Sequence, residues 1–182
     1  NEVLHQAYKL LVKTLPETIH LDLDLSDYLE PINADAVQIE HIMFNMALNA
    51  KDAMPDGGKF RIETKDVFLD EKYCETHVGV KPGAYVQMVL ADTGHGMAPE
   101  TLEHIFEPFY TTKGVGMGTG LGLSIVYGIV QSHNGHITCE SERQKGTTFR
   151  IYFPALESTT ESRVAEPARD VHLYGGETIL LV

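Results

Sequence analysis

The sequence predicts a layered α/β domain with helices on one face of a mixed sheet, and three observations carry that expectation. A helical period opens the chain, where Val3, Leu4, Ala7, Leu10 and Leu11 share a side of residues 2–14 and Pro16 follows the last turn. Apolar and polar residues alternate through IHLDLDLS (19–26), as in a half-buried strand. Beyond these, strand and helix signals interleave and do not segregate into blocks, the order expected of helices layered on a sheet.

The elements follow in order. Asn33 or Asp35 can cap a long helix running to about Met54, with Ile39, Ile42, Met43, Met46, Ala47 and Ala50 as its apolar stripe. The turn PDGG (55–58) stops that helix and feeds a strand, KFRIETKDVFL. A loop of about a dozen residues leads to the strand YVQMVLAD (85–92), which ends on Asp92. A short helix is expected near 99–104, ahead of the Gly- and Thr-rich stretch 107–120, and another over 121–133. HITCESE and TTFRIYFP form a closing hairpin, and Pro154 ends a domain covering 1–154. Residues 155–176, rich in Ser, Thr, Glu and small residues, read as a linker. It runs into GGETILLV, a Gly turn before a buried-strand run at 177–182.

Composition narrows the function. A chain of 182 residues with 43% apolar content can bury one good core. Fourteen Lys and Arg against 26 Asp and Glu give a net charge of −12, which argues against a nucleic-acid surface. Any anionic ligand must then be held by backbone amides, a metal and a few placed cations. Cys74 and Cys139 match no zinc spacing and read as reduced thiols, and the nine histidines show no ligand pattern. His41, His104, His133 and His136 read as surface or edge residues. No stretch approaches the roughly eighteen apolar residues of a membrane span, and no signal peptide opens the chain. A soluble, cytoplasmic piece without direct membrane contact is expected, and its abrupt ends suggest part of something longer.

The chemistry gathers in FNMALNAKDAMPDGG (44–58), ADTGHGM (91–97), IFEPFYTTK (105–113), GMGTGLGL (116–123) and KGTTF (145–149). Asn45, Asn49 and Asp52 lie at i, i+4 and i+7 of the long helix, within a sector of roughly 60°. Asp92 can accept from an exocyclic amino group, while Gly94 and Gly96 let backbone approach a planar base. Adenine presents a donor at that edge and guanine a carbonyl, so Asp92 selects ATP over GTP. Met97 would pack against the ring. Gly116, Gly118, Gly120 and Gly122 run into the start of a helix, where free amides and the helix dipole make an anion site. No dinucleotide-fold acidic residue about twenty positions on accompanies them.

Taken together and in this order, these stretches resemble the ATP-binding catalytic domain of sensor histidine kinases, over about residues 1–154. That family shares a superfamily with gyrase, mismatch-repair ATPases and a large chaperone family. The resemblance implies a two-layer sandwich, a mixed sheet with about three helices on one face, and a flexible ATP lid. It implies ATP and Mg²⁺ as cofactors, with the Asn49 oxygen on the metal. Hydrolytic relatives carry a glutamate general base where this chain has Asn45, and an amide takes no proton at neutral pH. Thr111, Thr112 and Lys113 flank the lid, and Lys113 is the cation for the β- or γ-phosphate. Phe106 and Phe109 are expected to anchor the lid in the core. The glycine stretch, with Leu121 and Leu123, contributes to ATP binding, and Thr147 hydrogen-bonds on the base side. Many family members place a basic residue where Asp52 stands, whereas Asn-Ala-x-Asp-Ala resembles the nitrogen-regulator-like branch. Lys51 points about 100° away from Asp52 and is given no phosphate contact.

The function so implied is binding of Mg·ATP and donation of its γ-phosphoryl to a histidine on a separate dimerisation helix, absent here. Positioning and charge neutralisation supply the catalysis, with Asn45 and Lys113 central. No histidine here has the acidic, arginine-flanked helical context of that acceptor. The chain alone is therefore expected to be a monomer that barely autophosphorylates, and the full-length protein a homodimer. Residues 177–182 are similar to the first strand of a receiver domain bearing an acceptor aspartate, which points to a hybrid kinase. Two alternatives stand beside this reading: a hydrolytic ATPase of the same superfamily, disfavoured by Asn45, and a non-catalytic nucleotide-binding module.

Overall fold

Leu4, Ala7 and Leu11 of α1 (Glu2–Thr14) are buried, so the opening helix docks by part of the face expected of it, while Val3 is half-buried and Leu10 is 50% exposed. The computed structural model describes residues 1–77, 79–114 and 118–156. β1 (Ile19–Leu25) is followed by α2 (Ala36–Ala53), which crosses over to β2 (Gly58–Leu69) so that β1 and β2 pair in parallel. Of the two candidate caps, Asp35 is the one used: its carboxylate accepts from the Val37 and Gln38 amides at 2.8 and 3.1 Å. The six apolar positions read from the sequence are the buried face of α2.

After β2 come α3 (Glu71–Thr76), β3 (Gly83–Asp92), α4 (Pro99–Leu102), α5 (Gly122–Ser132), β4 (His136–Glu142) and β5 (Gly146–Pro154). The sheet order is β1-β2-β3-β5-β4, antiparallel except at β1 and β2. Side chains on a strand alternate between faces. Phe60 and Ile62, Met88 and Leu90, and Phe149 and Ile151 take one face, packed with Leu4 and Leu11 of α1, Ile42, Met43 and Met46 of α2, and Val126 and Val130 of α5. This is the expected sandwich, with three helices over one side of a mixed sheet.

α3 was not legible as a helix, its region reading as loop. It lies on the opposite face, where Tyr73 and Cys74 pack with Leu69, Tyr85 and Tyr152. Its start is capped by Asp70, which accepts from the Tyr73 amide at 2.8 Å. Phe109 also departs from expectation. Phe106 joins the core and stacks obliquely on Tyr127 at 5.3 Å, but Phe109 is 74% exposed with φ of 68°. Past Pro154 the chain stays attached for two residues, Ala155 N–H donating to Ala84 O at 3.0 Å and Leu156 N–H to Pro31 O at 2.7 Å. The rest of the expected linker, the run at 177–182 and Gly116 lie outside the described residues. Cys74 and Cys139 are both free, and no helix among the described residues is long and apolar enough to cross a membrane.

Candidate nucleotide-binding site

Register brings the predicted residues to one end of the sheet. Phe60 pairs with Asp92, Asp92 with Thr147, and Thr147 with Ser141, so four strands end in one row. The C-terminal turns of α2 and the N-terminus of α5 close on the same end. A cavity of about 1020 Å³ opens there.

Asp92 and Thr147 line one side of that cavity, with Gly96 and Met97 beside them. The Asp92 carboxylate accepts the Gly94 amide at 2.8 Å. Burial raises its pKa above the ordinary carboxylate value, opposed by the backbone amides of Gly94 and Thr147 and by nearby His95. Gly94 does not itself line the cavity. Its role is close approach: a Cβ there would stand 2.6 Å from Ala53 O, at the end of α2. Gly96 has φ of 62°, and a Cβ on it would meet Glu142 O at 2.0 Å, so no side chain fits. His95, the residue between them, is held through both backbone groups, its N–H donating to Ala53 O at 3.0 Å and its carbonyl accepting from Gln144 N–H at 2.8 Å.

Asn45, Asn49 and Asp52 all face the cavity from α2, as their spacing requires. The Asn45 amide donates to His41 O at 2.8 Å. α5 begins against this row, for a Cβ on Gly122 would lie 3.1 Å from Asn45 Oδ1 and 3.9 Å from Asn49 Nδ2. Leu123 also lines the space, whereas Leu121 caps α5 from outside it, its amide donating to Thr119 Oγ1 at 3.3 Å. Thr111, Thr112 and Lys113 complete the wall with Gly118 and Gly120. Lys113 Nζ forms an ion pair with Asp52, joining the lid stretch to the last turn of α2. Lys51, which the sequence excluded from phosphate contact, borders the same space.

Several lining residues were not singled out from the sequence: Phe60, Leu90 and Phe149 on the strands, and His95, Thr101, Ile105 and Tyr110 in the connections. Alternation held a signal for Leu90, two residues before Asp92 on the same face. Ser141, just beyond the lining, had no such signal, because its place opposite Thr147 depends on register.

A family model described as histidine kinase-, DNA gyrase B- and HSP90-like ATPase matches residues 34–157. The chain belongs to that ATPase family. This ATPase domain is 41% identical over 189 residues to sensor kinase CckA of Brucella abortus (strain 2308), covering 100% of this chain and 20% of CckA. It is 37% identical over 145 residues to sporulation kinase E of Bacillus subtilis (strain 168), covering 80% of this chain and 18% of that kinase. The chain thus spans about one fifth of the length of these curated relatives. Among solved structures, the nucleotide-free catalytic domain of histidine kinase ThkA matches with a TM-score of 0.67 at 27% identity, covering 85% of this chain and 91% of that one. Full-length ShkA in complex with AMPPNP matches with a TM-score of 0.66 at 27% identity, covering 85% of this chain and 29% of that one. The expected family and α/β fold are both borne out.

Proposed function

We propose that this domain holds Mg·ATP and donates the γ-phosphoryl group to a histidine on a separate helical domain, in a two-component signalling kinase. One observation carries the reading. The α2 position from which a general base would act holds Asn45, an amide with its N–H engaged by His41 O. A water at the γ-phosphate then has no proton acceptor there, and the domain's work is to position and neutralise.

The roles follow from the walls of the cavity. Asp92 and Thr147 take the base, Met97 packs on it, and Gly118, Gly120 and Gly122 offer amides near the start of α5 to phosphate oxygens. Lys113 is a mobile point charge for the β- or γ-phosphate, exchanging Asp52 for the nucleotide. Among the described residues no group of three or more His, Cys, Asp or Glu is arranged to hold a metal. That fits Mg²⁺ arriving with the nucleotide, held by phosphate oxygens, waters and the Asn49 carbonyl oxygen. Bound there, the ion would offset charge on the transferring group.

Support for the wider setting comes from likeness. The similarity to sensor kinase CckA runs the length of this chain, beyond the domain. We assign residues 155–176 to a linker and 177–182 to the start of a receiver domain whose aspartate accepts the phosphoryl group. Asn49-Ala-Lys-Asp-Ala favours the nitrogen-regulator-like branch. The isolated domain is a cytoplasmic monomer in this reading, and dimerisation belongs to the phosphoacceptor helices.

The test is calorimetric titration with a non-hydrolysable ATP analogue, with and without Mg²⁺, alongside Asp92→Ala and a turnover assay with ATP. Metal-assisted binding, lost in Asp92→Ala, with little ADP formed until a histidine-bearing helical domain is added, is the expected result. Steady ADP release without acceptor would return the hydrolytic reading, and binding indifferent to Mg²⁺ would leave only a nucleotide-binding module.

A further inference from the structure

Ser141 stands one strand beyond the cavity wall, opposite Thr147, which in turn stands opposite Asp92. Its hydroxyl makes three contacts. The Met97 amide donates to Ser141 Oγ at 2.8 Å, Ser141 Oγ donates to Gly146 O at 3.0 Å, and Ser141 Oγ lies 2.9 Å from Thr147 Oγ1. A hydroxyl has one proton and two lone pairs. The Ser141 proton is committed to Gly146 O, which cannot donate in return. One lone pair is taken by the Met97 amide. The Thr147 contact is then satisfied only if Thr147 donates to the remaining lone pair. That turns the Thr147 proton away from the cavity and leaves oxygen lone pairs facing it, on a residue only 6% exposed.

We propose that Ser141 is a positioning residue for base selection: by fixing Thr147 as an acceptor beside the acceptor Asp92, it builds a pocket edge that takes a 6-amino purine and disfavours a 6-oxo purine. The inference rests on the ATP reading and deepens it. Two adjacent acceptors match an exocyclic amino group, which carries two N–H donors, directly or through a bridging water. A 6-oxo group would set a third acceptor against them; the single N1–H beside it can satisfy at most one of the two, and a buried acceptor left without a donor is costly. Without Ser141, the Thr147 hydroxyl is free to rotate and donate, and one of the two acceptors can become a donor to the oxo group. Discrimination then depends on Asp92 alone.

The experiment measures dissociation constants for the Mg²⁺ complexes of ATP and ITP, which differ only at the 6-substituent of the purine and the hydrogen at N1 that goes with it, on the unsubstituted chain and on Ser141→Ala, Ser141→Thr and Thr147→Val. Ser141→Ala should narrow the preference for ATP by roughly five- to tenfold, the scale of one neutral hydrogen bond gained or lost. Ser141→Thr, which keeps the hydroxyl, should retain the preference. Thr147→Val should narrow it too, and adding Ser141→Ala to Thr147→Val should change the ratio no further. Equal weakening of both nucleotides by Ser141→Ala, or no change in the ratio, would reduce Ser141 to support for the Met97 loop and overturn the proposal. Failure of the unsubstituted chain to bind ATP would instead overturn the ATP reading, and this inference with it.

Discussion

Asp92 is asked to do two things that pull against each other. In the proposed function it must stay ionised to receive an amino group, yet it sits where burial raises its pKa above the ordinary carboxylate value. The folded state therefore holds a proton on this group more tightly than the unfolded chain does. Its contribution to stability falls as pH rises through the window between the two values, and above that window the buried charge is a standing cost. Nucleotide affinity runs the other way, falling as pH drops through the raised pKa, because the protonated acid no longer accepts. Asp92→Asn should accordingly raise the melting temperature of the free domain at neutral pH while weakening ATP binding at least tenfold, a contrast read by thermal melts beside calorimetry. The placement of Asp92 was legible because carboxylate, Gly94 and Gly96 are local in sequence. Ser141 was not, since its importance arises from a neighbour on another strand. Phe109 misled for a related reason: an aromatic residue suggests burial, but a left-handed backbone turns this one outward.

Among the elements, α2 was the most transparent, since one helical period places both its buried stripe and its polar row. α3 was opaque because six residues are too few to show a period, and its apolar contacts are only Tyr73 and Cys74. The pairing of α2 with the lid stretch, through Asp52 and Lys113, was likewise hidden, although both residues had been placed at the site separately. Both side chains are more than a third exposed, so the pair itself contributes little to stability. In the proposed function its value lies in holding a cation where the phosphates would sit. Lys113→Ala should weaken ATP binding by roughly tenfold and leave adenosine binding unchanged. Asp92→Ala should weaken both ligands. Parallel competition titrations with the two ligands separate the base end from the phosphate end.

For the whole molecule, the layered architecture followed from alternation and periodicity, whereas the order β1-β2-β3-β5-β4 did not. Strand pairing is a non-local choice, and here it inserts β5 between β3 and β4. That insertion carries the core: Ile151 on β5 is fully buried between its two neighbours and the helices. Ile151→Ala should cost about 3 kcal/mol of stability, seen as a lower urea midpoint with an unchanged slope. The cavity should then lose occupancy only through unfolding, since Ile151 does not line it.

The strand order also settles where the sheet stops. Among the described residues β1 and β4 are its two borders, and an edge strand carries a row of backbone groups able to template a further strand. Both borders are acidic. Asp22 and Asp24 on β1 are met by Arg61 from within the same sheet, and Glu140 on β4 by Arg150. Because the basic partners sit one strand inward, another copy approaching side by side would meet carboxylates at either margin. Like charges at both margins disfavour edge-to-edge pairing of copies, the hazard an open sheet carries.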